Sequence, residues 1–330
     1  MQFPITDTHC DLLSYLVHVP NANPDRTEDI ACAFPLLKKG GVKFQVCAIY
    51  TTVEPDSMQL AAKQAMKYKE ILQAYQNNGI VQADGNFMRT IQQQDNIGLV
   101  AAIENAAGLA HESAPISDAF AHLDYLIQTT TRLAYISLTH HTENRFGGGN
   151  YSTGVGLKED GKRILDYISG KKIPIDLSHT SDLLAAGILT HIDSNRLDIP
   201  VIASHSNFRS IWDHPRNLTD EFVQEIIRRK GIIGVNFLRA FLDVDHPERI
   251  FDHLLYAFEQ GAENQICFGA DFFYTKDFPD KSRFPFYFPI VENATKYPLV
   301  LEHLKDNLST AQLAKLAFGN CSSFFGNLWD

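Results

Sequence analysis

Eight short apolar runs, separated by longer amphipathic segments, follow one another along the chain. The segments show apolar residues at helical spacing, as in Phe222 and Ile226, which are four apart, with Ile227 next to them. Strands that alternate with helices predict a parallel sheet, and eight such units close into an α/β fold, the (β/α)8 TIM barrel. The predicted strands are residues 5–8, 43–50, 98–103, 133–138, 173–177, 201–204, 231–237 and 265–269.

The predicted helices lie between these runs, at residues 57–78, 116–132, 158–169, 181–193, 220–230 and 250–260. A last helix covers 310–318, and Gly319 and Asn320 are expected to end it. We see no linker, low-complexity tract or strong internal repeat in the sequence. The sequence therefore predicts one barrel domain over residues 1–330.

Two long loops, at about 144–156 and 274–298, follow the fourth and eighth predicted strands. The first contains three consecutive glycines, 147–149, which we expect to make it mobile. The second is rich in aromatic residues and proline. Both loops are expected on the rim formed by the strand ends, where loops can cover a site.

Composition narrows the class of protein. The formal net charge of −10 argues against a nucleic acid or an anionic membrane as partner. The five cysteines include no CxxC pair, which favours a reducing compartment. The sequence shows no secretory signal, no anchor signal and no apolar run long enough to span a bilayer. We therefore expect a cytoplasmic protein.

Four of the predicted strands end in a histidine or an acid. His9 and Asp11 end the first, Glu104 follows the third, and His179 and His205 follow the fifth and sixth. Because the ends of parallel strands meet at one rim of a barrel, these side chains are expected to converge there. Neutral imidazoles and carboxylates are the ligands that zinc accepts. The pattern predicts a metal site.

Each of these residues has a plainer explanation when taken alone. His9 and Asp11 could be a structural histidine capped by an acid, and Glu104 could be a surface acid rather than a carboxylate that bridges two metals. His179 and His205 could each be a hydrogen-bonded core histidine. Their equivalent positions in neighbouring units favour ligands over these alternatives.

Three further residues could serve catalysis. Asp271 ends the eighth predicted strand and could move a proton, although an N-cap is the alternative. His140 ends the fourth and could donate to a developing oxyanion, whereas His141 is expected to point elsewhere. Arg216 could hold a carboxylate or could be a solvated surface arginine, and the residues alone do not decide between them.

At these residues the chain resembles the membrane (renal) dipeptidase family of zinc metallopeptidases, within the amidohydrolase superfamily. The resemblance runs nearly from end to end. We see no anchor or secretion signal of the animal enzymes, so the chain resembles the soluble bacterial members. It is carried by Asp7-Thr-His-Cys-Asp-Leu, Gly40-Gly-Val-Lys-Phe-Gln, Ile103-Glu, Leu138-Thr-His, Gly156-Leu-Lys-Glu-Asp-Gly-Lys-Arg, Ile175-Asp-Leu-Ser-His, Ser204-His-Ser, Arg216-Asn-Leu, Gly234-Val-Asn-Phe and Gly269-Ala-Asp-Phe.

The resemblance implies a barrel enzyme with two Zn²⁺ ions that hydrolyses dipeptides and accepts a D-residue at the C-terminal side. By the same resemblance His9 and Asp11 bind the first zinc, His179 and His205 bind the second, and Glu104 bridges them. It also implies that His140 and Arg216 contact the substrate and that Asp271 transfers the proton.

One departure concerns the substrate. The family commonly has Asp-Gly shortly after the aspartate of the last strand, where this chain has Phe272-Phe273-Tyr274. Another amide hydrolase, such as an N-acyl amino acid hydrolase, and a non-catalytic ligand-binding relative are the alternatives on the same scaffold. The expected partner is a small-molecule dipeptide. The sequence is compatible with a homodimer but does not predict one.

Overall fold

The structure is a computed structural model that describes residues 3–330. In this part of the chain nine strands form one parallel sheet. They are β1 (Ile5–Cys10), β2 (Val42–Tyr50), β3 (Ile80–Gln82), β4 (Ile97–Glu104), β5 (Leu133–Ser137), β6 (Ile175–Asp176), β7 (Val201–Ile202), β8 (Ile233–Val235) and β9 (Ile266–Phe268).

Eight of the strands curl into a barrel in the order β7-β6-β5-β4-β2-β1-β9-β8, and β3 extends the sheet beside β4. The ends of this row meet through a parallel bridge between Ala203, just after β7, and Ile233 of β8. The Ala203 N–H donates to the Ile232 carbonyl at 2.9 Å, and the Gly234 N–H donates to the Ala203 carbonyl at 2.8 Å. The predicted barrel is therefore confirmed.

Helices surround the strands. They are α1 (Leu12–His18), α2 (Phe34–Lys39), α3 (Ser57–Tyr75), α4 (Gly85–Arg89), α5 (Ile116–Thr130), α6 (Glu159–Ile168), α7 (Asp182–Asn195), α8 (Asp220–Arg228), α9 (Arg239–Leu242), α10 (Arg249–Glu259), α11 (Tyr297–Leu304), α12 (Thr310–Ala314) and α13 (Asn320–Leu328). Short 3-10 turns add Gln76–Asn78, Ile91–Gln93, Ala106–Gly108, Lys281–Arg283 and Ala294–Lys296. Within residues 3–330 no helix is long and apolar enough to cross a membrane.

All eight predicted strands are present, and their apolar runs are explained by burial. Every residue of β1 and of β4 is buried, as expected for a parallel sheet covered on both faces. Four predicted strands are clearly shorter than expected, because pairing covers two residues in β6 and in β7 and three residues in β8 and in β9. The three-residue β3 was missing from the prediction because it is too short to show a period.

The predicted end of the last helix is wrong. The chain passes from α12 through one π-helical turn, Lys315–Gly319, directly into α13. Gly319 keeps a helical backbone, with φ −60° and ψ −43°. The Asn320 side chain donates to the carbonyls of Glu263 and Ile266 at 2.9 and 2.8 Å. Asn320 therefore ties this helix to β9, instead of ending it.

Candidate metal centre and active-site cleft

Four predicted site residues occupy the same position relative to a strand. Each lies three residues beyond the last residue of its strand: His140 after β5, His179 after β6, His205 after β7 and Asp271 after β9. Glu104 is the last residue of β4, and His9 lies near the end of β1. Parallel strands bring these positions to one end of the barrel.

The two oxygens of Glu104 face different histidines. Its Oε1 lies 3.0 Å from Nε2 of His179 and 3.4 Å from Nε2 of His205. Its Oε2 lies 3.4 Å from Nε2 of His9. The two oxygens of one carboxylate thus face different imidazoles, although the rings of His9 and His205 stack on each other with centres 3.6 Å apart. A carboxylate with its oxygens so directed can bridge two metals.

His179 and His205 point their Nε2 atoms at the same place, 2.9 Å apart. The Ser204 hydroxyl donates to Asp176 Oδ2 at 2.5 Å and lies 2.6 Å from Nδ1 of His205. Because its one proton goes to the carboxylate, Ser204 accepts from the Nδ1–H of His205. Nε2 of His205 is then left with a free lone pair, the form that binds a metal.

His9 is held by a similar contact on the other side. The Tyr135 hydroxyl donates to the Thr8 carbonyl at 3.0 Å and lies 2.7 Å from Nδ1 of His9, so it accepts the Nδ1–H. Nε2 of His9 lies 3.8 Å from Asp11 Oδ2. Within residues 3–330, the buried atoms His9 Nε2 and Asp11 Oδ1 have no hydrogen-bond partner. These buried atoms without partners, and the imidazole and carboxylate donor set, fit zinc.

The electrostatics differ between the three histidines of the site. Burial lowers the pKa of His179 and His205 well below the usual range, and Arg216 and neighbouring histidines lower it further. Burial also acts to lower the pKa of His9, but Tyr135 and Glu104 outweigh it and raise the pKa well above its usual value. The surroundings of His9 therefore favour a positive charge.

Asp271 is a buried carboxyl group beside these ligands. Its Oδ1 lies 3.6 Å from Nε2 of His9, and its Oδ2 accepts a hydrogen bond from Asn236 at 2.8 Å. Burial raises the pKa of Asp271 to about 7, where a carboxyl can both take and return a proton near neutral pH. The backbone of Asp271 is left-handed, with φ +63°, which is rare for an aspartate and typical of functional sites.

His140 and His141 both face the cleft, so the prediction that His141 points elsewhere is wrong. Their ring centres lie 4.0 Å apart, and that of His140 lies 4.2 Å from His179. His141 Nδ1 lies 3.0 Å from Asn150 Oδ1, the acceptor that orients its ring. Burial lowers the pKa of His140 well below its usual range. The adjacent pair in the sequence was the available signal for this second histidine.

The glycines of the 144–156 loop serve packing rather than the predicted mobility. Gly147, Gly148 and Gly149 are all buried. A Cβ on Gly148 would lie 2.2 Å from the Val155 carbonyl oxygen, and one on Gly149 would lie 2.1 Å from that of His140. Only glycine fits this close approach of two backbone segments behind the histidine pair.

Arg216 is buried rather than a solvated surface arginine. Its Nη1 donates to the Ser206 hydroxyl at 2.8 Å and its Nη2 donates to the His205 carbonyl at 2.7 Å. Its Nε has no hydrogen-bond partner, and the guanidinium forms no ion pair with any acid of residues 3–330. A buried guanidinium without a counter-ion is costly, and an anionic ligand would relieve that cost.

A cleft of about 600 Å³ opens over this site. Five of the predicted site residues line it: Asp11, Glu104, His140, His179 and Asp271. His9, His205 and Arg216 lie behind its surface and do not line it. The 274–298 loop supplies one wall, in which Phe278 and Arg283 are exposed to the cleft. The volume is within the range of small-molecule sites.

The sequence matches one protein family over nearly its whole length. Residues 1–327 match the family model described as membrane dipeptidase (peptidase family M19). Among curated proteins, dipeptidase verJ of Clonostachys rogersoniana is 27% identical over 222 residues, which are 59% of this chain and 56% of that relative. The match therefore spans little more than half the length of this curated relative.

Solved structures show the same fold. A dipeptidase AC described as a metallo peptidase of family M19 superposes with a TM-score of 0.83 at 19% identity, covering 100% of this chain and 99% of that one. A metallo peptidase from Rhodobacter sphaeroides, liganded with a phosphinate mimic of the dipeptide L-Ala-D-Ala, superposes with a TM-score of 0.81 at 20% identity, covering 100% of both chains.

Proposed function

The chain belongs to the membrane dipeptidase family, and from that premise we propose that it is a binuclear zinc dipeptidase. The observation that carries the proposal is the position of Glu104, whose two oxygens face His179 and His205 on one side and His9 on the other. A carboxylate between two such sets of nitrogen atoms is suited to bridge two ions.

His9 and Asp11 would hold one zinc, His179 and His205 would hold the other, and Glu104 would bridge them. When bound, two zinc ions would polarise the scissile carbonyl and lower the pKa of the attacking water. Tyr135 and Ser204 would leave Nε2 of His9 and His205 as the metal-binding atoms, because each accepts from the Nδ1–H of its histidine.

Asp271 is proposed to take the proton of the attacking water and to return it to the leaving amine. Its buried carboxyl, with Oδ1 3.6 Å from Nε2 of His9, supports this role, and Asn236 fixes the other oxygen. His140, on the cleft wall beside His179, is proposed to donate to the oxyanion that develops on the carbonyl oxygen.

Arg216 is proposed to bind the free carboxylate of the dipeptide. Its buried guanidinium, without a counter-ion among the residues described, supports this role. Since Arg216 lies behind the cleft surface, the carboxylate would have to enter between the lining side chains to reach it. Such a contact would favour peptides whose carboxylate stands one residue from the scissile bond.

Three further properties belong to the same proposal. The complex of the Rhodobacter sphaeroides protein with an L-Ala-D-Ala mimic supports tolerance of a D-residue at the C-terminal side. Five buried free cysteines support a cytoplasmic location. The third property is a homodimeric state, which light scattering would test.

The test compares two substrate classes with the zinc-loaded protein. Dipeptides with L- or D-alanine at the C-terminal side should be hydrolysed, and N-acetyl amino acids of the same side chains should not. Turnover of the N-acetyl compounds without turnover of dipeptides would replace the proposal by an acylase. Bound zinc with no turnover of either class would indicate a ligand-binding protein.

A further inference from the structure

Arg283 is held rigidly in the cleft wall that the 274–298 loop supplies. Its guanidinium carbon lies 4.8 Å from the ring centre of Phe278 and 5.3 Å from that of Phe286. Its carbonyl accepts a hydrogen bond from Arg239 Nη2 at 3.3 Å, which fixes the backbone. Contacts of a cation with two aromatic faces restrict its rotamers, so little conformational entropy is lost when a ligand binds.

The guanidinium of Arg283 has no acidic partner in the described part of the chain. It takes part in no ion pair and donates no hydrogen bond within residues 3–330. Of the acids in the loop, Asp277 accepts from the Tyr274 hydroxyl and Asp280 accepts from Ser282, and Arg283 acts on Asp280 only through its charge, without an ion-pair contact. Its planar set of donors is therefore free for a ligand in the cleft, and that geometry matches a carboxylate.

The surroundings of Arg283 would strengthen such a contact. Phe273, Tyr274 and Phe278 line the cleft beside it. Charged contacts are stronger next to apolar walls than in open water, because fewer solvent dipoles compete with them. The wall thus combines an apolar surface with one fixed positive charge.

We propose that Arg283 binds a side-chain carboxylate of the substrate, and that the preferred substrates are therefore dipeptides containing aspartate or glutamate. The inference rests on the proposed dipeptidase function and extends it to substrate choice. It gives the 274–298 loop a role in substrate specificity.

Two arginines are available near the site, and their positions suggest a division of roles. The charge of Arg216 acts on Asp271 and Glu104, at the centre of the chemistry. The charges of both arginines act on His141, that of Arg216 more strongly, which indicates that Arg283 lies further from the chemistry than Arg216 does. The α-carboxylate of a dipeptide is close to its scissile bond, whereas a side-chain carboxylate extends further out. The cleft of about 600 Å³ leaves room for that extension.

The experiment uses pairs of dipeptides that differ only in one charge: Ala-Glu against Ala-Gln, and Glu-Ala against Gln-Ala. The zinc-loaded wild type is compared with Arg283→Met, which keeps the stem, and with Arg283→Lys, which keeps the charge. Lys281→Met is the matched control, because Lys281 is a cation of the same 3-10 turn that does not line the cleft. Zinc content and thermal unfolding check that the variants are folded.

We expect wild type to prefer the acid in at least one pair by about 10-fold in kcat/KM. Arg283→Met should lose that preference by lowering the rate for the acid alone, Arg283→Lys should retain part of it, and Lys281→Met should retain all of it. An unchanged ratio in folded Arg283→Met would overturn the inference. If Arg283→Met lowers kcat/KM equally for the Glu and the Gln peptide of a pair, and this loss disappears when the C-terminus of both peptides is amidated, Arg283 binds the α-carboxylate and the inference is overturned. If wild type hydrolyses no dipeptide, the proposed function itself fails.

Discussion

The Tyr135 hydroxyl lies 2.7 Å from Nδ1 of His9, although 126 positions separate the two residues in the chain. Closure of the barrel brings them together, and the hydroxyl accepts the proton on Nδ1 because its own proton goes to Thr8. A metal-binding histidine is commonly oriented by such an acceptor on its second nitrogen. Tyr135 therefore determines that Nε2, and not Nδ1, is the nitrogen of His9 available to a metal.

Tyr135→Phe should weaken zinc binding by about 10-fold or more, since the ring of His9 loses its acceptor and with it the fixed tautomer. Competition with a chelator measures the change without reference to activity. Tyr68→Phe is the control, because Tyr68 is also a buried tyrosine whose hydroxyl donates to a barrel carbonyl, that of Leu99. Equal zinc affinity in the two variants would contradict the role of Tyr135.

Purified protein replenished with zinc should carry close to two ions per chain, and His179→Ala should lose one of them with nearly all activity. The reason is that Glu104 Oε1 lies 3.0 Å from Nε2 of His179, so removal of this imidazole opens one half of the site. Metal analysis of dialysed protein gives the stoichiometry. One ion per chain in replenished wild type would refute a bridging role for Glu104.

Asp271→Asn should lower kcat by about 100-fold or more while zinc stays bound, because the amide cannot carry the proton between water and amine. The Nδ2–H of Asn236, which donates to Asp271 Oδ2 in the wild type, should still donate to the amide oxygen of the variant and hold the side chain in place. Steady-state kinetics and metal analysis are read together. A variant that loses zinc along with activity would make Asp271 a ligand instead of a proton carrier.

Arg216→Met should reduce kcat/KM for free dipeptides by about 100-fold, which is about 2.7 kcal/mol of transition-state binding. Dipeptide amides lack the carboxylate, so they should be poor substrates already and should lose little more. The comparison is a double-mutant cycle whose second change is made on the substrate. If wild type and variant discriminate equally between free dipeptides and dipeptide amides, Arg216 does not bind the carboxylate.

His253 should make the fold less stable in mild acid. Burial lowers the pKa of His253 to about 4 from an ordinary value of 6.5. Its Nε2–H donates to the Leu242 carbonyl at 3.0 Å, and its Nδ1 accepts from the Phe208 N–H at 3.3 Å, so no site is left for a second proton. Between these pH values the unfolded chain holds a proton that the native chain lacks, and the free energy of unfolding therefore falls as pH falls.

Urea unfolding of zinc-free protein at several pH values in this window tests the point. His253→Gln removes the titrating group, so its free energy of unfolding should depend on pH less steeply than that of wild type, by up to one proton. The same slope in both proteins would show that His253 does not contribute.

Sequence reasoning could find the strands and the strand-end residues, because burial on both faces gives continuous apolar runs and polar side chains follow them where they end. His179 and His205 were found in this way. Tyr135, Asn236 and Asp176 were missed, since their contacts depend on which strands become neighbours when the barrel closes. The helix end predicted at Gly319 was wrong because a tertiary contact of Asn320 overrides a local stop signal.

The fixed offset of three residues between a strand end and a site group has an evolutionary consequence. It leaves His140, His179, His205 and Asp271 anchored by the barrel, so that an outer segment such as the 274–298 loop can change in length and composition without moving them. The loop that carries Arg283 begins only after Asp271. Grafting that loop onto a relative should therefore transfer the proposed substrate preference while leaving the strand-end groups of the recipient in register.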